Sequence, residues 1–116
     1  MQPRDVRVFL LDALTAAASI VAIRHEVGPE RLRADAIVRA AIERHLITIG
    51  EALHRADGID ASVASGVSHL PAIVGLRNRL VHGYFDIDLD VLWQTAQQDL
   101  PPLIEIIRPL LPSRNG

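Results

Sequence analysis

The segment HEVGPER (His25–Arg31) separates two long stretches in which apolar residues recur every three or four positions, as on one face of a helix. Gly28 and Pro29 within it are typical of a helix end. The first stretch predicts a helix over residues 3–26, with Val6, Leu10, Ala13, Ala17 and Ile20 on its apolar face. The second predicts a helix over residues 30–56, with Ile37, Ala41, Leu46, Ile49 and Leu53 on that face. Two long helices joined by a short turn are expected to pack antiparallel.

The rest of the chain predicts two or three further helices. Residues 57–68 have the composition of a loop, and Gly58 is expected to end the second helix. A third helix is predicted from a cap at Ser68 to His82. A fourth segment begins near residue 88, and Asp99 is expected to cap a fresh helix whose first turn holds Pro101 and Pro102. No alternating strand pattern occurs, so the fold class is predicted to be all-α, a four- or five-helix bundle in a single domain over residues 1–116.

Composition narrows the possible functions. The chain has 116 residues, 49% of them hydrophobic and only 3% aromatic, which predicts one aliphatic core. A net charge of −2 argues against bulk attraction to nucleic acid, so a site for a polyanion would have to be a local cluster of cations. The absence of cysteine excludes disulfides and thiolate metal sites. No uncharged apolar run reaches the roughly 20 residues of a membrane span, and we expect a cytoplasmic protein without a membrane partner.

RNRLVHGY (Arg77–Tyr84) concentrates polar and titratable groups in an otherwise aliphatic chain. An arginine offers planar donors for phosphate, and a histidine can take and give a proton near neutral pH. Together Arg77 and His82 could cleave RNA without a metal, with Asn78 on the face of His82 and Tyr84 just beyond the helix end. Five residues correspond to about 140° around an ideal helix, so the pair converges only if Arg77 folds back, the helix end unwinds or two copies meet at a two-fold axis.

The alternative interpretation of this stretch is a helix end, where Arg, His, Asn and Gly are ordinary residues. Two other patterns in the sequence suggest a metal site but are incomplete. Glu51-x-x-His54 has the spacing of a di-iron ligand pair but lacks the second copy that such sites need. DIDLD (residues 86–90) resembles the start of a calcium loop, but the later positions are wrong for one. No metal and no cofactor is therefore expected.

The Arg-x4-His-x-Tyr pattern of RNRLVHGY resembles the signature of the HEPN superfamily, and specifically that of HepT-like toxins. LITIGEAL (residues 46–53) resembles the Ile-Gly-Glu-Ala block of that family. LPAIVGLRNRLVHGYFDID (residues 70–88) resembles the sequence around its motif, and VLWQTAQQDLPPL (residues 91–103) its final Trp-containing segment. The resemblance covers most of the chain in family order.

This resemblance implies an endoribonuclease toxin that forms a homodimer with its active site at the dimer interface. Arg77 and His82 would be the catalytic pair acting on RNA, with Asn78 and Glu51 as supporting residues. The implied antitoxin is a minimal nucleotidyltransferase of the MntA type, which would silence the toxin by transferring AMP from ATP to Tyr84. The alternatives are a non-catalytic HEPN module that binds a nucleotide or docks such a partner, and a purely structural dimer.

Overall fold

The computed structural model describes residues 5–62, 77–78 and 89–111, and every regular element within them is helical. Helix α1 spans Val6–Glu26, α2 spans Pro29–Ala34 and α3 spans Ala36–Ile59. Near the C-terminus, α4 (Leu89–Gln94) leads through a π-helical turn (Thr95–Asp99) into α5 (Leu100–Ile107) and a 3₁₀ turn (Arg108–Leu110). The prediction of an all-α fold is confirmed for this part of the chain. The predicted helix from Ser68 to His82 lies outside the described residues, except for Arg77 and Asn78, which are helical.

Helix α1 ends where the sequence predicts. The backbone N–H of Val27 donates to the carbonyl oxygen of Ile23, and the chain then turns extended toward Gly28. At its other end, Asp5 caps the helix by accepting from the backbone N–H of Arg7 at 2.9 Å. Hydrogen bonds from the side chain and the backbone of Arg7 lower the pKa of the Asp5 carboxyl from 3.8 to about 2.

The predicted second helix is divided in two at Asp35. The backbone of Asp35 is extended, and its Oδ1 accepts from the backbone N–H groups of Ile37 and Val38 at 3.0 and 3.3 Å. Its own N–H donates to the carbonyl oxygen of Arg31, so one residue ends α2 and caps α3. The hydrogen bond from Val38 and then that from the Arg31 side chain lower the pKa of this carboxyl. An aspartate directly before an apolar run is a helix-start signal.

The prediction that Gly58 ends the second helix is wrong. Helix α3 continues to Ile59, and the chain leaves it at Asp60, whose backbone is extended. Oδ1 of Asp60 then accepts from the backbone N–H of Ser62 at 3.1 Å, which favours a new helical turn where a loop was expected. A glycine in a helix costs only about 1 kcal/mol relative to alanine, which neighbouring helical residues can offset.

The C-terminal prolines are accommodated within a continuous helical path. Helix α5 begins at Leu100, as expected, with Pro101 and Pro102 in its first turn. The backbone of Asp99 is helical, at φ −96° and ψ −31°, and its side chain makes no capping hydrogen bond, so the predicted cap at Asp99 is not formed. The widened π turn before it leads the chain from α4 into α5 without a break.

The core is aliphatic and is formed mainly by α1, α3 and α5. Its largest fully buried side chains are Leu10, Ile20, Leu32, Ile42, Leu46, Ile49, Leu53, Leu92, Leu100, Leu103 and Ile107. Phe9 and Asp12, early in α1, line a groove with Thr48 and Arg55 from the second half of α3, which confirms the antiparallel arrangement. The predicted core position Ile37 is instead 82% exposed, because it lies in the first turn of the separately capped α3.

Helix α1 is long and apolar enough, by length and composition alone, to cross a membrane. In this fold, its residues Leu10, Ala13, Ala17 and Ile20 are buried. The buried central helix of a small domain has the same composition, so this property is a weak indication of a membrane span.

Candidate functional site

The side chain of Arg77 crosses to helix α3 and is held there by two hydrogen bonds. Its Nη2 donates to Oε1 of Glu51 at 2.9 Å, and its Nη1 donates to Oδ1 of Asn78 at 2.7 Å. Arg77 is 27% exposed and Glu51 is 45% exposed, so the ion pair lies at the surface. The guanidinium group is therefore fixed in orientation, and part of the Arg77 side chain remains accessible to solvent.

Several donors of this guanidinium group have no acceptor among the described residues. An arginine carries five N–H donors, and the two contacts above engage one from each terminal nitrogen. The Nε of Arg77 is buried and has no hydrogen-bond acceptor among the described residues. A planar cation with unused donors beside a hollow is suited to bind an anion such as a phosphate group.

Gly50 allows the close approach between Arg77 and helix α3. A Cβ atom placed on Gly50 would lie 2.5 Å from Cβ and 2.7 Å from Cγ of Arg77. Carbon atoms in favourable contact are about 3.5–4.0 Å apart. Because the clash is with the base of the arginine side chain and not with its flexible end, relief would require the backbone of one helix to move. Gly50 therefore sets how deeply Arg77 sits against Glu51.

The accessible part of Arg77 borders a cleft of about 540 Å³. Among the described residues, the cleft is lined by Gly50, Glu51, His54, Arg55, Arg77 and Asn78. A second groove of about 400 Å³ adjoins it, because Glu51 and Arg55 line both hollows. Among the described residues that line the cleft, two are arginines and one is a carboxylate, and the adjoining groove adds the carboxylate of Asp12.

Three of the five predicted site residues are brought together by the fold. Arg77, Asn78 and Glu51 are joined by direct hydrogen bonds, although Glu51 is 26 residues away in sequence. His82 and Tyr84 lie outside the described residues. The carboxylate of Glu51 is thus the acceptor for an arginine, which gives the Glu51-x-x-His54 pattern a use other than metal ligation.

Sequence reasoning missed two residues of this cleft. Gly50 was part of the Ile-Gly-Glu-Ala block, and a glycine in the middle of a predicted helix is a signal of close packing. Arg55 has no assigned role in the sequence analysis, and its side chain is exposed where it lines the cleft. No pattern in the sequence indicates which exposed arginine borders Arg77, since that depends on how the helices pack.

The family model and the relatives that match this chain are all described as ribonucleases. The family model described as "Ribonuclease HepT-like" matches residues 13–110. A protein of Methanocaldococcus jannaschii named "Putative RNase MJ1380" is 32% identical over 112 residues, covering 92% of this chain and all of that protein. "Probable ribonuclease HepT" of Thermococcus cleftensis is 29% identical over 102 residues, covering 86% of this chain and 90% of that protein. No solved structure matches the chain.

Proposed function

Because the chain belongs to the HepT-like ribonuclease family, we propose that it is a metal-independent endoribonuclease toxin of a toxin–antitoxin pair. The observation that carries the proposal is the guanidinium group of Arg77, held by Glu51 and Asn78 at the edge of a cleft of about 540 Å³. A fixed cation in a hollow of this size can hold a phosphate group of an RNA strand. The protein would act in the cytoplasm, and its cleft would bind single-stranded or looped RNA.

The proposed reaction is an attack of a ribose 2′-oxygen on the adjacent phosphorus. A bond forms between the 2′-oxygen and phosphorus as the bond from phosphorus to the 5′-oxygen breaks, which leaves a 2′,3′-cyclic phosphate and a free 5′-hydroxyl. His82 removes the proton of the 2′-hydroxyl or supplies the one that the 5′-oxygen takes up. Arg77 stabilises the negative charge that builds on the phosphoryl oxygens. Glu51 and Asn78 position Arg77 and do not touch the reacting atoms.

A homodimer is part of the proposal. Arg77 and His82 are five residues apart, about 140° around an ideal helix, and a two-fold axis through the cleft would bring two such pairs together. Two pairs would also strengthen the positive charge available to RNA on a chain whose net charge is −2. Sedimentation equilibrium should give twice the mass of the chain, and a monomer at assay concentrations would contradict the shared site.

The catalytic assignment is tested by incubating the chain, purified without a partner, with RNA in the presence of EDTA. We expect Arg77→Ala and His82→Ala to lower the rate of cleavage by about 10²-fold or more. His25, which is exposed, and Arg39, which is half-buried, do not line the cleft and provide controls, so His25→Ala and Arg39→Ala should cleave at the rate of the unaltered chain. Absence of cleavage by the unaltered chain would refute the nuclease proposal, and RNA binding without cleavage would favour the non-catalytic module. Unchanged cleavage by both site variants would refute the assigned residues.

We further propose that Tyr84 accepts AMP from an MntA-like nucleotidyltransferase antitoxin. The tyrosine oxygen would attack the α-phosphorus of ATP, with loss of the phenolic proton and departure of pyrophosphate. A bulky anion two residues from His82 would exclude the RNA phosphate by repulsion and by its volume. The intact mass of the chain should rise by one adenylate, or by successive adenylates, after incubation with the partner and ATP. The same gain in mass by Tyr84→Phe would overturn this acceptor.

A further inference from the structure

Arg55 lies one turn beyond Glu51 on helix α3, on the same side of the cleft that holds the guanidinium group of Arg77. Four residues along a helix correspond to about 6 Å and return nearly to the same face. His54 precedes Arg55, and both side chains are exposed and line the cleft. The cleft therefore has a second cation, one helical turn from the carboxylate that binds the first.

The two arginines of the cleft differ in their partners. Arg77 is paired with the carboxylate of Glu51, which partly neutralises its positive charge. Arg55 makes no ion pair and no side-chain hydrogen bond with any of the described residues. By contrast, Arg31 and Arg33 on α2 are paired with Asp35 and Asp90. Arg55 can thus give its full charge and its planar set of donors to a ligand in the cleft.

Arg55 also stands between two hollows. It lines the cleft of Arg77 and the adjoining groove of about 400 Å³, which Phe9 and Asp12 of α1 and Thr48 of α3 also line. A polymer that placed one phosphate on Arg77 and continued along α3 would pass directly over Arg55. Since both arginines line the same cleft, a strand that is bound at Arg77 can also contact Arg55.

We propose that Arg55, assisted by His54, forms a second anion subsite that binds the phosphate next to the scissile one on a single RNA strand. This inference rests on the proposed function, because it takes the phosphate at Arg77 to be the reacting one. The subsite binds the strand and takes no part in bond cleavage. Its ligand is an internucleotide phosphate of single-stranded RNA, read without regard to sequence.

The test compares two substrates that differ in their number of phosphates. Cleavage in EDTA is measured for a ribodinucleotide, which has one internucleotide phosphate, and for a longer single-stranded oligonucleotide with the same cleavable step. We expect Arg55→Gln to raise KM for the oligonucleotide by about fivefold, the size of one exposed ionic contact, with kcat unchanged. The kinetic constants for the dinucleotide should not change.

The salt dependence of binding gives an independent readout. For single strands, each lost phosphate contact reduces the slope of log affinity against log salt by about 0.7. Fluorescence anisotropy with a labelled, uncleavable 2′-deoxy-substituted oligonucleotide should show this smaller slope for Arg55→Gln. The matched control is Arg39→Gln, which removes an arginine from the same helix about 24 Å away along its axis and lines neither hollow. It should leave both the slope and KM unchanged.

Each result distinguishes the subsite from the nuclease itself. Equal losses on both substrates, no loss on either, or the same loss in Arg39→Gln would overturn the subsite while the nuclease proposal stands. If the unaltered chain cleaves neither substrate, the nuclease proposal fails and the anisotropy slopes alone decide the subsite. Thermal melting by circular dichroism confirms that both variants fold, and His54→Gln should weaken oligonucleotide binding less than Arg55→Gln does.

Discussion

Replacing Gly50 with alanine should separate stability from catalysis at one position. The added Cβ would lie 2.5 Å from Cβ and 2.7 Å from Cγ of Arg77, about 1 Å or more inside a normal contact. Relieving such an overlap in a packed site typically costs 1–3 kcal/mol. Alanine also gains up to about 1 kcal/mol over glycine within a helix. We therefore expect Gly50→Ala to destabilise the fold by about 0–2 kcal/mol.

Gly58 on the same helix supplies the matched control. A Cβ atom at Gly58 has no atom within 4 Å, so Gly58→Ala should gain helix propensity without any clash. We expect Gly58→Ala to be more stable than the unaltered chain by up to about 1 kcal/mol. Both variants gain the same helix propensity, so this gain cancels when their free energies of unfolding are subtracted. The difference should equal the cost of the steric overlap at Gly50, about 1–3 kcal/mol. Urea denaturation followed by circular dichroism measures both free energies of unfolding.

Catalysis should respond more strongly than stability. Moving Arg77 by about 1 Å relative to Glu51 can lower a rate by about 10²-fold, since orientation of the charged group determines its effect. Gly50→Ala should therefore lose most of its RNA cleavage at temperatures where it remains folded, while Gly58→Ala keeps it. Adding Arg77→Gly to Gly50→Ala removes the clashing atoms, and a double-mutant cycle should show the stability restored. The reasoning is refuted if the two alanine variants have equal stability and equal activity.

Further predictions concern the ion pair, the core and the helix cap. Glu51→Gln should change the free energy of unfolding by only about 1 kcal/mol, because the pair is only partly buried, while kcat for RNA falls by about tenfold as Arg77 loses the carboxylate that positions it. Leu46→Ala, at a fully buried site, should cost about 2–5 kcal/mol, whereas Leu11→Ala, 53% exposed, should cost under about 0.5 kcal/mol in the same urea titration. The Asp5 carboxylate stabilises the fold above pH 3.8 and loses this effect as pH falls toward 2, so Asp5→Asn should show a smaller drop in melting temperature over that range.

The sequence predicted the elements whose signals are local. The apolar face of α1 and its end at Glu26 follow from three- and four-residue spacing and from Gly28 and Pro29. The start of α5 at Leu100 follows from the tolerance of a first helical turn for proline. Such signals operate within a few residues, where backbone hydrogen bonding and side-chain spacing decide the conformation.

Two errors of prediction arose where a local preference competed with its surroundings. The periodic pattern predicts one long helix through Asp35, but the side chain of Asp35 accepts from the backbone N–H groups of a new helix. Gly58 was read as a helix end, although its cost is small beside the stabilisation that α3 gains from packing on α1. Both outcomes depend on free-energy differences of about 1 kcal/mol, which local patterns do not resolve.

By itself the sequence determined that this chain is helical, that its core is aliphatic and that it belongs to the HepT-like ribonuclease family. Only the tertiary structure decided that Arg77 rests on Gly50 and binds Glu51, and that Arg55 shares the same cleft. Glu51 and Arg77 are 26 residues apart, and their contact depends on the packing distance between two helices. Arg77 can approach α3 this closely because Gly50 has no side chain. This is a contact between residues far apart in sequence, and it produces no periodic pattern along the chain.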